Sequence, residues 1–365
     1  MVSKNPSSAF MLFFMVFSLV APQFLVAVMR QTGISNDIFR SLWFLIVIQL
    51  VCFVLPLFIW VALTRDKLKR HLPNQPLGGL NIIFILLLSF LMLPAMWLIS
   101  GITSLFVTND VAEFMSALGT QPWWLMMLAI AVTPGIVEEL VFRGYIQSTQ
   151  HGRNFITIAL MNGLLFGIMH LNRHQFFYTF VLGVIFAYMV YHTRSIWAGI
   201  IPHFIVNGVN VTLSYFAISG LPEYANGAPI EEQTFAEALY EALVETNPAL
   251  AQSVYEWAVD INPVVIAVIS MAIVTAFTLP LAGVAYHFFV SHNRKRNAGL
   301  EEESEKEATE QPQRMPFRMD WCLVAVMLIY VIIVFAIPAL EARVLATGEY
   351  YEFAASLRGS APLSI

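Results

Sequence analysis

Glu138 and Glu139 stand side by side in the segment Pro134-Gly135-Ile136-Val137-Glu138-Glu139-Leu140-Val141-Phe142-Arg143, which closes an otherwise apolar run from Trp123 to Phe142. Ionisable groups in such a run are costly to bury, so each is a functional hypothesis. Glu139 and Arg143 are four residues apart and can meet along one helical face. Glu138 is turned about 100 degrees from Glu139 on a 3.6-residue helix, so the two carboxylates cannot share one task. No basic residue lies four positions from Glu138 on either side, which leaves it to face a cavity as a group that can take and return a proton. For Glu139 and Arg143, an ion pair that pins the helix is as good an account as a direct catalytic role.

Further along, Phe166 is followed four residues later by His170, and His203 four residues later by Asn207. The second spacing puts an imidazole and a carboxamide on one face. A neutral histidine can exchange a proton or bind a metal, and an amide N–H can stabilise a developing oxyanion. One buried histidine alone would be read as a packing residue. Five such groups on three helices point to function, with an activated water as the nucleophile. The remaining histidines, His71, His151, His174, His192, His287 and His292, fall near helix ends or in loops, where an interfacial position explains them. Asn162, Asn210 and Thr212 read as hydrogen bonds between helices.

The elements that must hold these groups are membrane helices. Of the 365 residues, 58% are hydrophobic and 12% charged, against about 45 to 50% and 25% in soluble domains; the mean hydropathy is +0.70. The fold expected is all-α, a polytopic transmembrane bundle of about nine spans: Ala9 to Met29, Ser41 to Leu63, Leu80 to Ile99, Trp123 to Phe142, Phe155 to Leu171, Phe176 to Tyr191, Ile196 to Phe216, Val264 to Val290 and Trp321 to Leu340. The fifth and sixth are short for a hydrocarbon core that takes about 20 residues. Cys52 and Cys322 each lie within a span, so neither a disulfide framework nor a cysteine metal site has support. No basic stripe with interleaved aromatics suggests nucleic acid as a partner.

Lysine and arginine collect in cytoplasmic loops. Arg65, Lys67, Lys69 and Arg70 follow the second span, and Arg294, Lys295 and Arg296 follow the eighth. Between Arg194 and Arg294 there is neither lysine nor arginine, while glutamates abound. Nine spans with a cytoplasmic N-terminus satisfy this pattern and leave the C-terminus outside. An integral, multi-pass protein of the plasma or bacterial inner membrane is the default expectation. Glu237, Glu241 and Glu245, opposite Phe235, Leu239 and Leu243, suggest an amphipathic helix on the outer surface. Residues 291–319 read as a charged cytoplasmic loop. One tension remains in the depths. With a rise of 1.5 Å per residue, Glu138 and His203 fall in the inner half of the bilayer, but His170 falls near the outer end of a fully spanning fifth helix. The helix carrying Arg143 must then continue before the chain turns back, or the fifth and sixth spans must tilt.

There is no H-E-x-x-H zinc helix, no pair of intramembrane aspartates, and no serine placed as a nucleophile beside these histidines. What is present, Glu138-Glu139-x-x-x-Arg143, Phe166-x-x-x-His170 and His203-x-x-x-Asn207, resembles in order and spacing the three motifs of the CAAX protease and bacteriocin-processing family, also called CPBP or Abi. The resemblance covers about Trp123 to Phe216. It implies an intramembrane endopeptidase acting on a membrane protein or peptide. In that family's pattern Glu138 and His170 activate the water, His203 and Asn207 stabilise the oxyanion, and Glu139, Arg143 and Phe166 orient the site. It also raises a divalent metal such as zinc as a possible cofactor, for which Glu138, His170 and His203 would be three ligands. The chain then divides into N-terminal transmembrane helices (1–122), a catalytic helical core (123–218), an acidic extracytoplasmic segment (219–262) and C-terminal transmembrane helices (263–365). The alternatives are a transporter, in which the polar groups line an ion path, and an immunity or scaffold protein without catalysis.

Overall fold

The computed structural model describes residues 6–32, 38, 41–109, 111, 114–115, 118, 121–150, 154–219, 240–241, 243–258, 263–305 and 321–338. Among them the chain forms ten helices and no strand beyond one isolated bridge, Asn74 with Ser195. We label them α1 (Pro6–Gln31), α2 (Leu42–Thr64), α3 (Gly79–Ser104), α4 (Trp123–Ile146), α5 (Phe155–Met169), α6 (Arg173–Thr193), α7 (Trp197–Ser219), α8 (Pro248–Ala258), α9 (Pro263–Glu305) and α10 (Trp321–Ala336). Seven of these are long and apolar enough to cross a membrane, and α5 and α10 are shorter apolar helices. The nine apolar runs of the sequence therefore each become a helix. The sixth, expected to be short, is 21 residues long, because Asn172 caps its start through the amides of His174 and Gln175.

Three apolar clusters hold the bundle among the described residues, the smallest joining Leu42, Met126, Ala129 and Val211 of α2, α4 and α7. Phe10, Phe14, Phe142, Phe166, Leu323 and Val326 join α1, α4, α5 and α10, and Ile85, Met92, Phe186, Met189, Val206 and Phe289 join α3, α6, α7 and α9. Large residues such as Phe24, Phe277 and Phe288 point outward, as a lipid-facing surface requires. α5 and α6 approach closely because Gly163 faces Gly183: a Cβ on Gly183 would come 2.7 Å from the Gly163 Cα. Small residues at a crossing let membrane helices pack by dispersion alone.

Two expectations need correction. The charged stretch after Ser291 does not begin as a loop, since α9 continues to Glu305. Arginine, alanine, leucine and glutamate sustain a helix, and its polar turns dock onto α3. Asn293 and Asn81 exchange hydrogen bonds of 2.8 and 3.1 Å, and Arg296 Nη2 donates to the Pro76 carbonyl at 2.6 Å. Residues 306–319 lie outside the described residues, as do most of those expected to form the acidic amphipathic helix. The depth tension also disappears. α4 runs past Arg143 and its last helical turn reaches Ser148, so the chain turns back lower than the apolar run suggested. Counted at 1.5 Å per residue from Gln150, Glu138 lies about 18 Å up α4; counted from Phe155, His170 lies about 22 Å up α5. Both side chains line one cavity rather than lying at opposite levels.

Candidate active site

Three helices carry the polar groups, and α4 is built unusually to do so. Its glutamates sit in an ordinary helical turn, Thr133–Glu139, between two wider π-helical stretches, Met127–Val132 and Leu140–Ile146. Such bulges loosen the backbone ladder and recur at functional sites. Pro134 adds to the break, having no N–H to return to Ile130 one turn back. Three carbonyls of this stretch accept from side chains. Thr133 Oγ1 donates to Leu128 at 2.8 Å, Gln49 Nε2 of α2 to Ala129 at 2.8 Å, and Asn207 Nδ2 of α7 to Ile130 at 3.0 Å.

Glu139 is fully buried and held from two sides. Its Oε1 accepts from Arg143 Nη1 at 2.7 Å and meets His203 Nδ1 at 2.9 Å. Arg143, also buried, donates to the Gly183 carbonyl at 3.1 Å and lies over the rings of Phe166 (4.6 Å) and Phe186 (5.3 Å). Gly199 of α7 completes the enclosure, because any Cβ there would collide with Glu139 Oε2. Sequence reasoning missed Gly199, as it did Gln49 and Phe186. Only the Pro134 break, which must expose a carbonyl to some donor, hinted at the first shared contact, that of Asn207.

Glu138 points the other way, into a cavity of about 470 Å³ that is also lined by Phe166, His170, Phe186, His203 and Asn207. Its Oε2 lies 3.9 Å from His203 Nε2 and makes no hydrogen bond among the described residues. The two histidines are oriented alike. His203 Nδ1 faces the Glu139 carboxylate and His170 Nδ1 faces the Phe166 carbonyl at 2.8 Å. A carbonyl and a carboxylate only accept, so both Nδ1 atoms carry the proton and both Nε2 atoms are left for the cavity. Phe166 stands between them, its ring edge-on to His170 at 4.9 Å and to His203 at 5.8 Å. Structure thus gathers Glu138, His170, His203 and Asn207 on one cavity and sets Glu139 and Arg143 behind it. His174, assigned to the interface by its place in the sequence, is instead buried at 2% exposure on the same cavity, with Nε2 2.9 Å from Ser104 Oγ.

Two imidazole Nε2 atoms and a carboxylate are the donor types of a catalytic zinc centre, and Glu139 and the Phe166 carbonyl hold the positions of its supporting partners. As they stand, however, no group of three or more His, Cys, Asp or Glu among the described residues is arranged to hold a metal ion.

Fold and site together define a class: a polytopic helical membrane protein with a carboxylate–imidazole cluster buried between three helices. Residues 120–209, which contain all three motifs, match the family model described as Rce1-like, "Type II CAAX prenyl endopeptidase Rce1-like". Over 85 residues the chain is 32% identical to a protein of Bacillus subtilis (strain 168) named "Putative membrane peptidase YdiL"; the match covers 23% of this chain and 34% of that protein. The chain therefore spans about a third of the length of the curated relative it matches. No solved structure matches. The resemblance first drawn from the motifs holds over the stretch that carries them.

Proposed function

We propose that the protein is an intramembrane endopeptidase that hydrolyses a peptide bond of a membrane-associated protein or peptide by means of an activated water. The observation that carries the proposal is Glu138, which lines a cavity between the helices with its Oε2 3.9 Å from the Nε2 of an oriented histidine and without a hydrogen-bond partner among the described residues. Glu138, with His170 Nε2 beside it, takes a proton from water as the hydroxyl oxygen bonds to the scissile carbonyl carbon. The carbonyl oxygen becomes an oxyanion, stabilised by the second N–H of the Asn207 amide and by His203 Nε2–H in its protonated form. Collapse breaks the C–N bond, and Glu138 returns its proton to the leaving amine. Glu139, Arg143 and Phe166 touch no reacting atom and position His203 and His170.

The test compares newly formed protein N-termini in membranes of cells expressing the wild-type chain, Glu138→Gln or His203→Ala at equal levels. A set of termini present with the wild type and missing with both variants is expected. Identical sets in all three would overturn the reading.

A further inference from the structure

Among the described residues the cavity runs from the cluster towards one end of the bundle, and charge identifies that end. The loop after α2 and the turn between α6 and α7 meet the ends of α4 and α6 and the polar part of α9 at the other. Arg194 O accepts from Gln75 N at 3.0 Å, Pro73 O from Ile196 N at 2.7 Å, and His192 O from Asn297 Nδ2 at 2.9 Å, while His71 Nδ1 touches Ser148 Oγ at 2.6 Å. Gathered there are Arg65, Lys67, Lys69, Arg70, Arg194, Arg294, Lys295 and Arg296, against Arg30 and Arg173 at the opposite end among the described residues. Excess lysine and arginine mark the cytoplasmic side. Towards that side the cavity is shut: Glu139, Arg143, Phe142, Ile146 and Phe186 are all at most 1% exposed.

From Glu138 and His203 the lining runs along α7 through Asn210 to Ser214, and reaches Trp97 and Ser100 near the end of α3 and Asn109 and Phe114 in the segment after it. Ser214 is eleven residues beyond His203, about 16 Å along the helix, away from the basic end. Apart from Glu138, none of the lining residues among the described residues is Asp, Glu, Lys or Arg.

We infer that the site is served from the extracytoplasmic side, and that its substrate is an uncharged, partly aromatic or aliphatic segment of an exported or membrane-anchored polypeptide entering from there, rather than a tail presented at the cytoplasmic face. A charged segment would have to shed its water into a lining whose described residues offer no countercharge but a carboxylate. This inference rests on the proteolytic reading for the word substrate, but the side of access does not.

Both native cysteines are buried, so single exposed cysteines can be introduced into the full-length chain. Phe114→Cys and Ser214→Cys should react with a membrane-impermeant maleimide added to intact cells stripped of any outer barrier, and Lys67→Cys only after permeabilisation. External labelling of Ser214→Cys should also lower the yield of Glu138-dependent new termini at least tenfold. Reaction of Ser214→Cys only after permeabilisation, or full turnover after complete external labelling, would overturn the inference. If no Glu138-dependent termini exist, the proteolytic reading fails, and the labelling pattern alone decides the side of access.

Discussion

Two adjacent glutamates in one helix have separate surroundings, and the difference predicts different losses. Replacing Glu138 removes the proton carrier and little packing, since Oε2 has no hydrogen bond to lose. Glu138→Gln is expected to lower kcat/KM by about 10² to 10⁴, the range of a lost general base, with thermal unfolding in detergent unchanged. Glu139→Gln leaves Arg143 buried against a neutral group. Breaking one side of a buried pair costs about 3 to 5 kcal/mol, so this variant should melt earlier and shift the pH profile of whatever activity survives, because His203 loses its anchor. A melting temperature equal to the wild type's would contradict that role. Gly199→Ala should resemble Glu139→Gln, since its methyl would occupy the place of Glu139 Oε2; an intact pH profile would sink the assignment. The residues that perform these roles were legible in sequence as polar types in apolar runs. The division of labour was legible only in part. The i, i+4 spacing announced the pair of Glu139 and Arg143, but nothing in the spacing said that His203, sixty-four positions away, would share the same carboxylate oxygen.

At the scale of elements, the nine apolar runs announced nine helices, and their ends are where sequence reasoning fell short. Hydropathy ends where side chains become polar, whereas hydrogen bonding carries α4 through Gln147 and Ser148, whose polar groups find partners in Ala187 O and Tyr145 O. That one extra turn brings His170 level with Glu138. π-helical stretches are equally hidden, because they come from the mutual fit of α4, α2 and α7 rather than from composition. Asn207 illustrates the consequence, as its amide supports the Ile130 carbonyl and borders the cavity at once. Asn207→Ala should therefore lower both stability, by about 1 kcal/mol, and turnover, whereas Asn207→Asp, which keeps the size and loses the donors, should lower turnover as much. Retained turnover in both would remove Asn207 from the oxyanion site. Outside the membrane, Asp66 ties the loop after α2 to His71 at 2.7 Å, and His71 to the end of α4. Partial burial would raise the Asp66 pKa, but the Lys67 amide and His71 outweigh it and hold the carboxyl below its usual 3.8. Its contribution to stability is complete above that value and fades as the pH falls through the lowered one. The difference in melting temperature between wild type and Asp66→Asn should thus be constant at neutral pH and vanish in strong acid; a difference that grows on acidification would refute the contact.

Among the described residues the molecule is closed on its basic side and its cavity runs towards the other, which sets it apart from a pore with the same polar residues. An ion path needs polar groups leading to both faces, and here the interior beyond Glu139 is packed with Phe142, Ile146 and Phe186. Sequence supplied the charge asymmetry that orients the bundle, but not which end the cavity joins, because that depends on how α3, α6 and α7 splay. The central claim, that Glu138 drives peptide hydrolysis within the membrane, is tested most directly with the purified full-length protein in lipid discs and a membrane polypeptide whose new terminus depends on it in cells. The rate of cleavage of the pure substrate should fall by at least a hundredfold from wild type to Glu138→Gln at an unchanged melting temperature. Equal rates from the two proteins would contradict the account.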